Sequence, residues 1–580
     1  MQKKMLQRLL SVAKGQEPPD KIIINGRIVN VFTNRIEEKL AISVKDGYIA
    51  GLGERPDLPK STNTEIIDAE GRYLCPGLID AHTHLDSMYP FYEIVPYSLK
   101  GGTTCIVTEC GIVATACGME AVESFFDSAK GYPLRCYFLA PPETPPFPHL
   151  ETATGLSLGD FKRILRRKDV LGIGEGYWTR IVEGDDRVLS QASFGLSLGK
   201  TLEGHGAGAR GARLLEYAMT GITSCHESTT VEEALEKLKL GIYVMIREGF
   251  VRKELAELKG LKDLDVDKRR IMLVSDNFDA VMLCEEGYLD SVLRRAIAYG
   301  FDPIEAIKMM TINVADYYGL RHLGAIAPLR HADILFLSDL EKAAVDHVMV
   351  NGEMKVKNRE FQGEVRRYTY PESMRHTIRA HRVSGSDFLI PAGGNEVRVR
   401  LVKVINETIT REAEGLLKVK DGYIEKNVAA DIIPVAVINK NDGRQMGKGF
   451  IIGTGIREGA FATNITWDTG NILTAGSSEE EMALAANRLM EIQGGYVIAK
   501  NGRVTFEFPM DVYGLIPDYS LEEIRRKTKE LDARMEEIGS ILPRPFLALQ
   551  TIPFTGLPFL RITDKGLADI KTRKLVPLFL

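Results

Sequence analysis

Six side chains in this sequence are of the types that ligate divalent metals, and they sit in similar local contexts. Asp80-Ala81-His82-Thr83-His84 closes the run LIDAHTH, Glu175 lies in LGIGEG, His205 ends KTLEGH, His226 lies in GITSCHE and Asp276 ends IMLVSD. Alternate side chains of an extended strand share a face, so His82 and His84 can reach the same ion. Imidazole nitrogen mixed with carboxylate oxygen suits Zn²⁺, Mn²⁺ or Fe²⁺. Six ligands exceed what one tetrahedral ion takes. They imply two divalent cations roughly 3.5 to 4 Å apart, with Glu175 as the bridge.

Taken singly, none of these residues carries much. His-x-His pairs are common in cores and on surfaces, a strand-end carboxylate also caps loops, and Asp276 alone would serve as the cap of a following helix. Their shared placement at strand ends is what gives the set weight. Of the ten histidines, His149, His322, His331, His347, His376 and His381 fall in loops or outside this run and are read as structural or solvated.

Elements must hold such a set together. From residue 76 to 320 strand-like runs alternate with helical patterns: LIDAHTH, TCIVTE, RCYFLAP, LGIGEG, KTLEGH, GITSCHE, IYVMIR and IMLVSD, interleaved with segments such as EEALEKLKL. Eight such units predict a (β/α)8 TIM-like barrel, whose active sites lie where the strands end. Residues 1–75 open with an amphipathic helix, MQKKMLQRLLSVAKG, followed by short β runs. Asn25-Gly26 and Asp46-Gly47 there are hairpin signals, because type I′ turns need positive φ. The β signature returns in residues 321–380, with Asn351-Gly352, so the barrel reads as an insertion in a split β domain. Residues 381–580 read as an α+β domain. Ser478 with Glu481 and Ser520 with Glu523 mark two helix starts, and LKVKDGYI repeats the turn of SVKDGYI.

Composition bounds the rest. A chain of 580 residues exceeds one ordinary core. A net charge of −5 predicts no nucleic-acid and no anionic-membrane partner. No apolar run reaches the length of a membrane span and no signal peptide is evident, so a cytoplasmic protein is expected. The seven cysteines lack CxxC spacing and read as buried free thiols.

The motif PGLIDAHTHLDS resembles the first barrel strand of the amidohydrolase superfamily. CHESTTVEEALEKLKLGIYVMIREG, GKGFIIGTGIREGAFA and EEEMALAANRLMEIQGGYVIAKNGRV resemble the adenine deaminase family, over nearly the whole chain. The resemblance implies a metal-bearing barrel inserted in a small β-sandwich, with His82, His84, Glu175, His205, His226 and Asp276 as the metal site, and a homo-oligomer. It implies conversion of adenine to hypoxanthine and ammonia by a water that the cations acidify. Asp276 would carry the proton to the leaving nitrogen. Glu227 would shuttle protons, hold the ring, or simply form a salt bridge.

Three departures from the family pattern bear on the substrate. Glu109-Cys110-Gly111-Ile112 stands where the family carries Asp-Pro-His-Glu, and Trp467-Asp468-Thr469-Gly470-Asn471 where it carries His-Asp-Ser-His-Asn. Asn277 follows Asp276 in place of a second Asp. The ligand set survives, whereas the polar lining of the pocket changes. Two alternatives therefore stand beside adenine deamination: hydrolysis of another purine or cyclic amide, and a non-catalytic metal-binding scaffold or ligand sensor.

Overall fold

A computed structural model of the chain describes residues 3–54 and 61–580. The amphipathic N-terminal helix forms over Lys3–Ala13, and its first two expected residues, Met1 and Gln2, lie outside the described residues. It lays Leu9 and Val12 against Ala50, with Met5 and Tyr48 at the edge of the contact.

Two sheets flank the barrel. One has four strands, and the other has seven, built from segments on both sides of the barrel in sequence. Tyr73–Pro76, just before the barrel, pairs antiparallel with Ile334–Asp339, just after it. Ile23, Ile42, Val44 and Ile49 of one sheet share a core with Leu74, Ile334, Phe336 and Met349 of the other, so the two close face to face as a sandwich. Asp46-Gly47 and Asn351-Gly352 turn true hairpins, as expected. Asn25-Gly26 does not. Lys21–Ile24 pairs in the four-stranded sheet and Arg27–Asn30 in the seven-stranded one, so the turn passes the chain between layers. The local signal specified a turn, and tertiary pairing decided which strands it joined.

The eight barrel strands are all parallel and run in sequence order from Leu78–His84 to Ile271–Val274. They bury residues almost continuously because both faces are covered, by helices outside and by packed side chains within. The interior holds Ile79, Ala81, Cys105, Val107, Leu139, Met245, Met272 and Val274, closed at the bottom by Tyr317, Tyr318 and Leu320. First and last strands meet at the top, where Asp276 N–H donates to His82 O at 3.1 Å and Ser275 N–H to the Asp80 carboxylate at 3.2 Å.

The C-terminal part is a nine-stranded sheet with helices at Glu479–Glu491 and Leu521–Glu537, each N-capped by the serine expected, Ser478 and Ser520. The first helix packs Met482, Ala485, Ala486 and Leu489 on the sheet. This part leans on the barrel mouth: Asn471 Nδ2 donates to Thr152 O at 2.9 Å, Thr152 N to Asp564 at 3.0 Å and Met88 N to Leu515 O at 3.2 Å. All seven cysteines are free, and among the described residues no helix is long and apolar enough to cross a membrane.

Candidate functional site

The barrel mouth brings all six sequence-predicted ligands together. Pairing of the first strand slips between Asp80 and Thr83, the stretch that carries His82. His82 is fully buried, with Nε2 3.3 Å from Glu175 Oε1 and 3.4 Å from Asp276 Oδ1. His84 Nε2 lies 3.5 and 3.6 Å from those same two oxygens. On the other side, Glu175 Oε1 is 3.0 Å from His226 Nε2 and 3.6 Å from His205 Nδ1. Two clusters result, His82–His84–Glu175–Asp276 and Glu175–His205–His226, each with its donor atoms within 4.8 Å of one another and with Glu175 common to both.

The donor chemistry fits divalent cations. His82 Nε2 is buried with no hydrogen-bond partner, although it faces two carboxylate oxygens. His226 Nε2 and His205 Nδ1 approach to 3.2 Å, where two lone pairs repel unless a proton or a cation lies between them. Asp276 is held at φ 60, a left-handed conformation that costs a non-glycine residue energy and recurs at functional sites. Burial favours its neutral acid, but His82, His84 and Arg247 outweigh this and hold the carboxyl well below its ordinary range. Burial works against protonated His82 too, and the surrounding Asp276, Glu175 and Glu203 carboxylates reverse it.

Around the ligands stands a layer that the sequence pattern does not reveal. Glu203, fully buried mid-strand, faces His82 Nδ1 at 2.8 Å and so sets the tautomer that leaves Nε2 free to ligate. Tyr318 Oη lies against both Glu203 and Ala81 O, its single proton available to either, and ties this carboxylate to the barrel floor. The available signal was an acidic residue two positions before His205 in a buried strand. Arg247, the last residue of the seventh strand, grips Glu254 with two nitrogens at 2.9 and 2.6 Å, contacts Glu227, and lies 3.4 Å from Asp276. A cation ending one strand, beside neighbours that end in histidine and carboxylate, was its signal. Glu227 lies 3.6 Å from His205 Nε2. Burial would raise its carboxyl, yet Arg247, His205 and His226 hold it at about 2. It is therefore held as a charged group beside Arg247 and His205.

Glu109 closes the second strand and accepts from Glu175 N–H at 2.9 Å. Its carboxylate passes so near Gly174 that a Cβ there would force the Glu109 carboxylate to move. Burial pushes the Glu109 carboxyl up to about 8.

Above the cluster opens a cavity of about 640 Å³, walled by the barrel loops on one side and the C-terminal part on the other. All three departures from the family pattern reach it, through Gly111 and Ile112, Asn277, and Trp467 with Asp468. Asn471, by contrast, is buried and bonds Lys440 N and Thr152 O, a structural task. The six histidines read as structural sit elsewhere. His331, for example, stacks on Tyr48 at 4.3 Å.

Comparisons with known proteins agree with this geometry. The Adenine deaminase C-terminal domain profile matches residues 407–574 and the Amidohydrolase family profile residues 194–355. A protein named adenine deaminase from Moorella thermoacetica is 36% identical, over 98% of this chain and 97% of that one. Adenine deaminase 1 of Carboxydothermus hydrogenoformans is 34% identical over 98% and 97%. The Kosmotoga olearia adenine deaminase is 33% identical over 99% and 98%.

Proposed function

The chain belongs to the adenine deaminase family, and from that premise we propose that it converts adenine and water to hypoxanthine and ammonia. The observation that carries the proposal is the pair of ligand clusters sharing Glu175 at the mouth of the barrel. His82, His84, Glu175, His205, His226 and Asp276 would hold two divalent cations, Mn²⁺, Fe²⁺ or Zn²⁺. Such cations lower the pKa of a water toward neutrality and make it a nucleophile at ordinary pH.

The chain's own groups do the rest. Asp276, ionised and turned toward both His82 and His84, accepts the proton that the attacking water loses. It then delivers that proton to the nitrogen departing from C6, general base and then general acid in one cycle. Arg247 keeps Asp276 and Glu227 charged and in place, and Glu203 keeps His82 in its ligating tautomer. Packing of the C-terminal part over the mouth limits bulk water, which strengthens these charge interactions.

Protein loaded with Mn²⁺ or Fe²⁺ should release ammonia and form hypoxanthine from adenine, and absence of both overturns the proposal. One observation favours a second reading, a different purine or cyclic amide: the three departures all line the cavity. A substrate panel followed by mass spectrometry separates the two, since deamination exchanges nitrogen for oxygen whereas ring opening adds a whole water.

A further inference from the structure

Asp468 has no part in the chemistry above, yet it occupies a costly position in the same cavity. It sits in the turn after the strand Ala460–Thr463, at φ 70, a conformation that an aspartate adopts at an energetic cost. The turn is braced from behind. Thr466 Oγ1 donates to Asn471 O at 2.8 Å, and Asn471 is held by Lys440 N and Thr152 O. Bracing that leaves the tip pointing into a cavity presents a side chain rather than packing one. The neighbouring charges make the same point. Burial and the Glu175 and Asp86 carboxylates push the Asp468 carboxyl up to about 7, with His84 and His205 opposing them. No described cation pairs with it and no described group donates to it. A part-exposed carboxylate that lines the cavity without an internal donor is free to accept from a ligand there.

The wall beside it suits a flat ring. Trp467 meets Phe554 edge-on at 5.6 Å, Phe554 meets Tyr177 at 6.3 Å, and Tyr177 meets His205 at 5.0 Å, a run of aromatic rings reaching the ligand cluster. Planar heteroaromatic ligands stack on such surfaces.

We propose that Asp468 is a specificity residue, accepting a hydrogen bond from the imidazole-ring N–H of a purine whose six-membered ring faces the metal cluster. The role rests on the purine reading given above. It gives the C-terminal part a task at the barrel active site: it reads the end of the substrate that the barrel does not.

The test compares adenine with 7-methyladenine and 9-methyladenine, both of which lack an imidazole N–H, in metal-loaded wild type and Asp468→Asn. Asparagine has the same shape and tolerates the left-handed conformation, so metal content and melting temperature should be unchanged. Wild type should prefer adenine by on the order of 10²-fold in kcat/KM, because a site built to accept a hydrogen bond rejects ligands that cannot give one. Asp468→Asn keeps an acceptor oxygen and loses the charge, so it should lose about tenfold on adenine. It should lose less on the methylated base whose bare ring nitrogen faces residue 468, to which the amide N–H can donate. An equal loss on all three substrates, or an unchanged preference, overturns the proposal. Should wild type not turn over adenine at all, the reaction reading fails, and calorimetric binding of unsubstituted purine against 9-methylpurine decides Asp468 separately. Equal weakening of both ligands by Asp468→Asn, or of neither, refutes the role there too.

Discussion

Glu203→Gln isolates what one buried charge contributes to this site. Glu203 does not line the cavity above the cluster. It meets His82 Nδ1 at 2.8 Å through Oε2, while its other oxygen is engaged by Tyr318. A glutamine fits the same space. Its carbonyl can still accept from His82 Nδ1–H, and its amide can donate to the Tyr318 oxygen, whose own proton goes to Ala81 O at 2.8 Å. Only the charge is lost. A hydrogen bond to a charged group is worth about 1.5–3 kcal/mol and a neutral one about 0.5–1.5 kcal/mol, so the change should cost about 1–1.5 kcal/mol. At about 1.4 kcal/mol per tenfold, that predicts metal affinity about tenfold weaker. This is the lower end of the 10- to 100-fold that partners of ligating histidines typically control. Competition against a chromogenic chelator with Mn²⁺ or Zn²⁺ measures it. At saturating metal kcat should largely recover, because the ligand geometry is preserved. Affinity within twofold of wild type would refute the reasoning, as would a kcat loss that saturating metal leaves in place.

Asp276→Asn should lower kcat for ammonia release by roughly 10²- to 10⁴-fold, the worth of a general acid–base group, and more if metal is lost; metal analysis by atomic absorption separates the two. Arg247→Met leaves the buried Glu227, Glu254 and Asp276 without their shared cation. Breaking such a network costs about 3–5 kcal/mol, seen as a lower unfolding midpoint in metal-free protein, whereas an unchanged midpoint would contradict the ion-pair account. His331, far from the cluster, tests pH linkage. Burial first and then Arg135 and His322 depress its imidazole from 6.5 to about 3. The unfolded chain therefore binds this proton first, and its stabilising effect is complete above pH 6.5 and lost as pH falls toward 3. His331→Asn should show a shallower decline of melting temperature over that window than wild type, and parallel curves would exclude it.

Ligand identity is legible in the sequence because it rests on local rules. Polar residues that interrupt continuous apolar strands, at the ends of eight parallel units, are placed by the period of the strand alone. His82, His84, Glu175, His205, His226 and Asp276 do meet, as that rule requires. Helix caps at Ser478 and Ser520 are readable for the same reason, since capping is a contact three residues long. Where a contact spans the chain, local rules stop. Asn25-Gly26 signals a turn, yet which sheets it joins depends on strands 19 to 46 residues away. Glu203 reaches His82 across 121 residues and Arg247 reaches Asp276 across 29, and neither spacing has a period to betray it. Asp468 is the extreme case: its neighbourhood stands out only against the family pattern, and it is the seating of the C-terminal sheet on the barrel mouth that brings it before His84 and Glu175. The sequence by itself placed the six candidate ligands at one barrel mouth, where they meet. The walls that choose the substrate come from separate parts of the chain, and packing alone decided which of their side chains face one another.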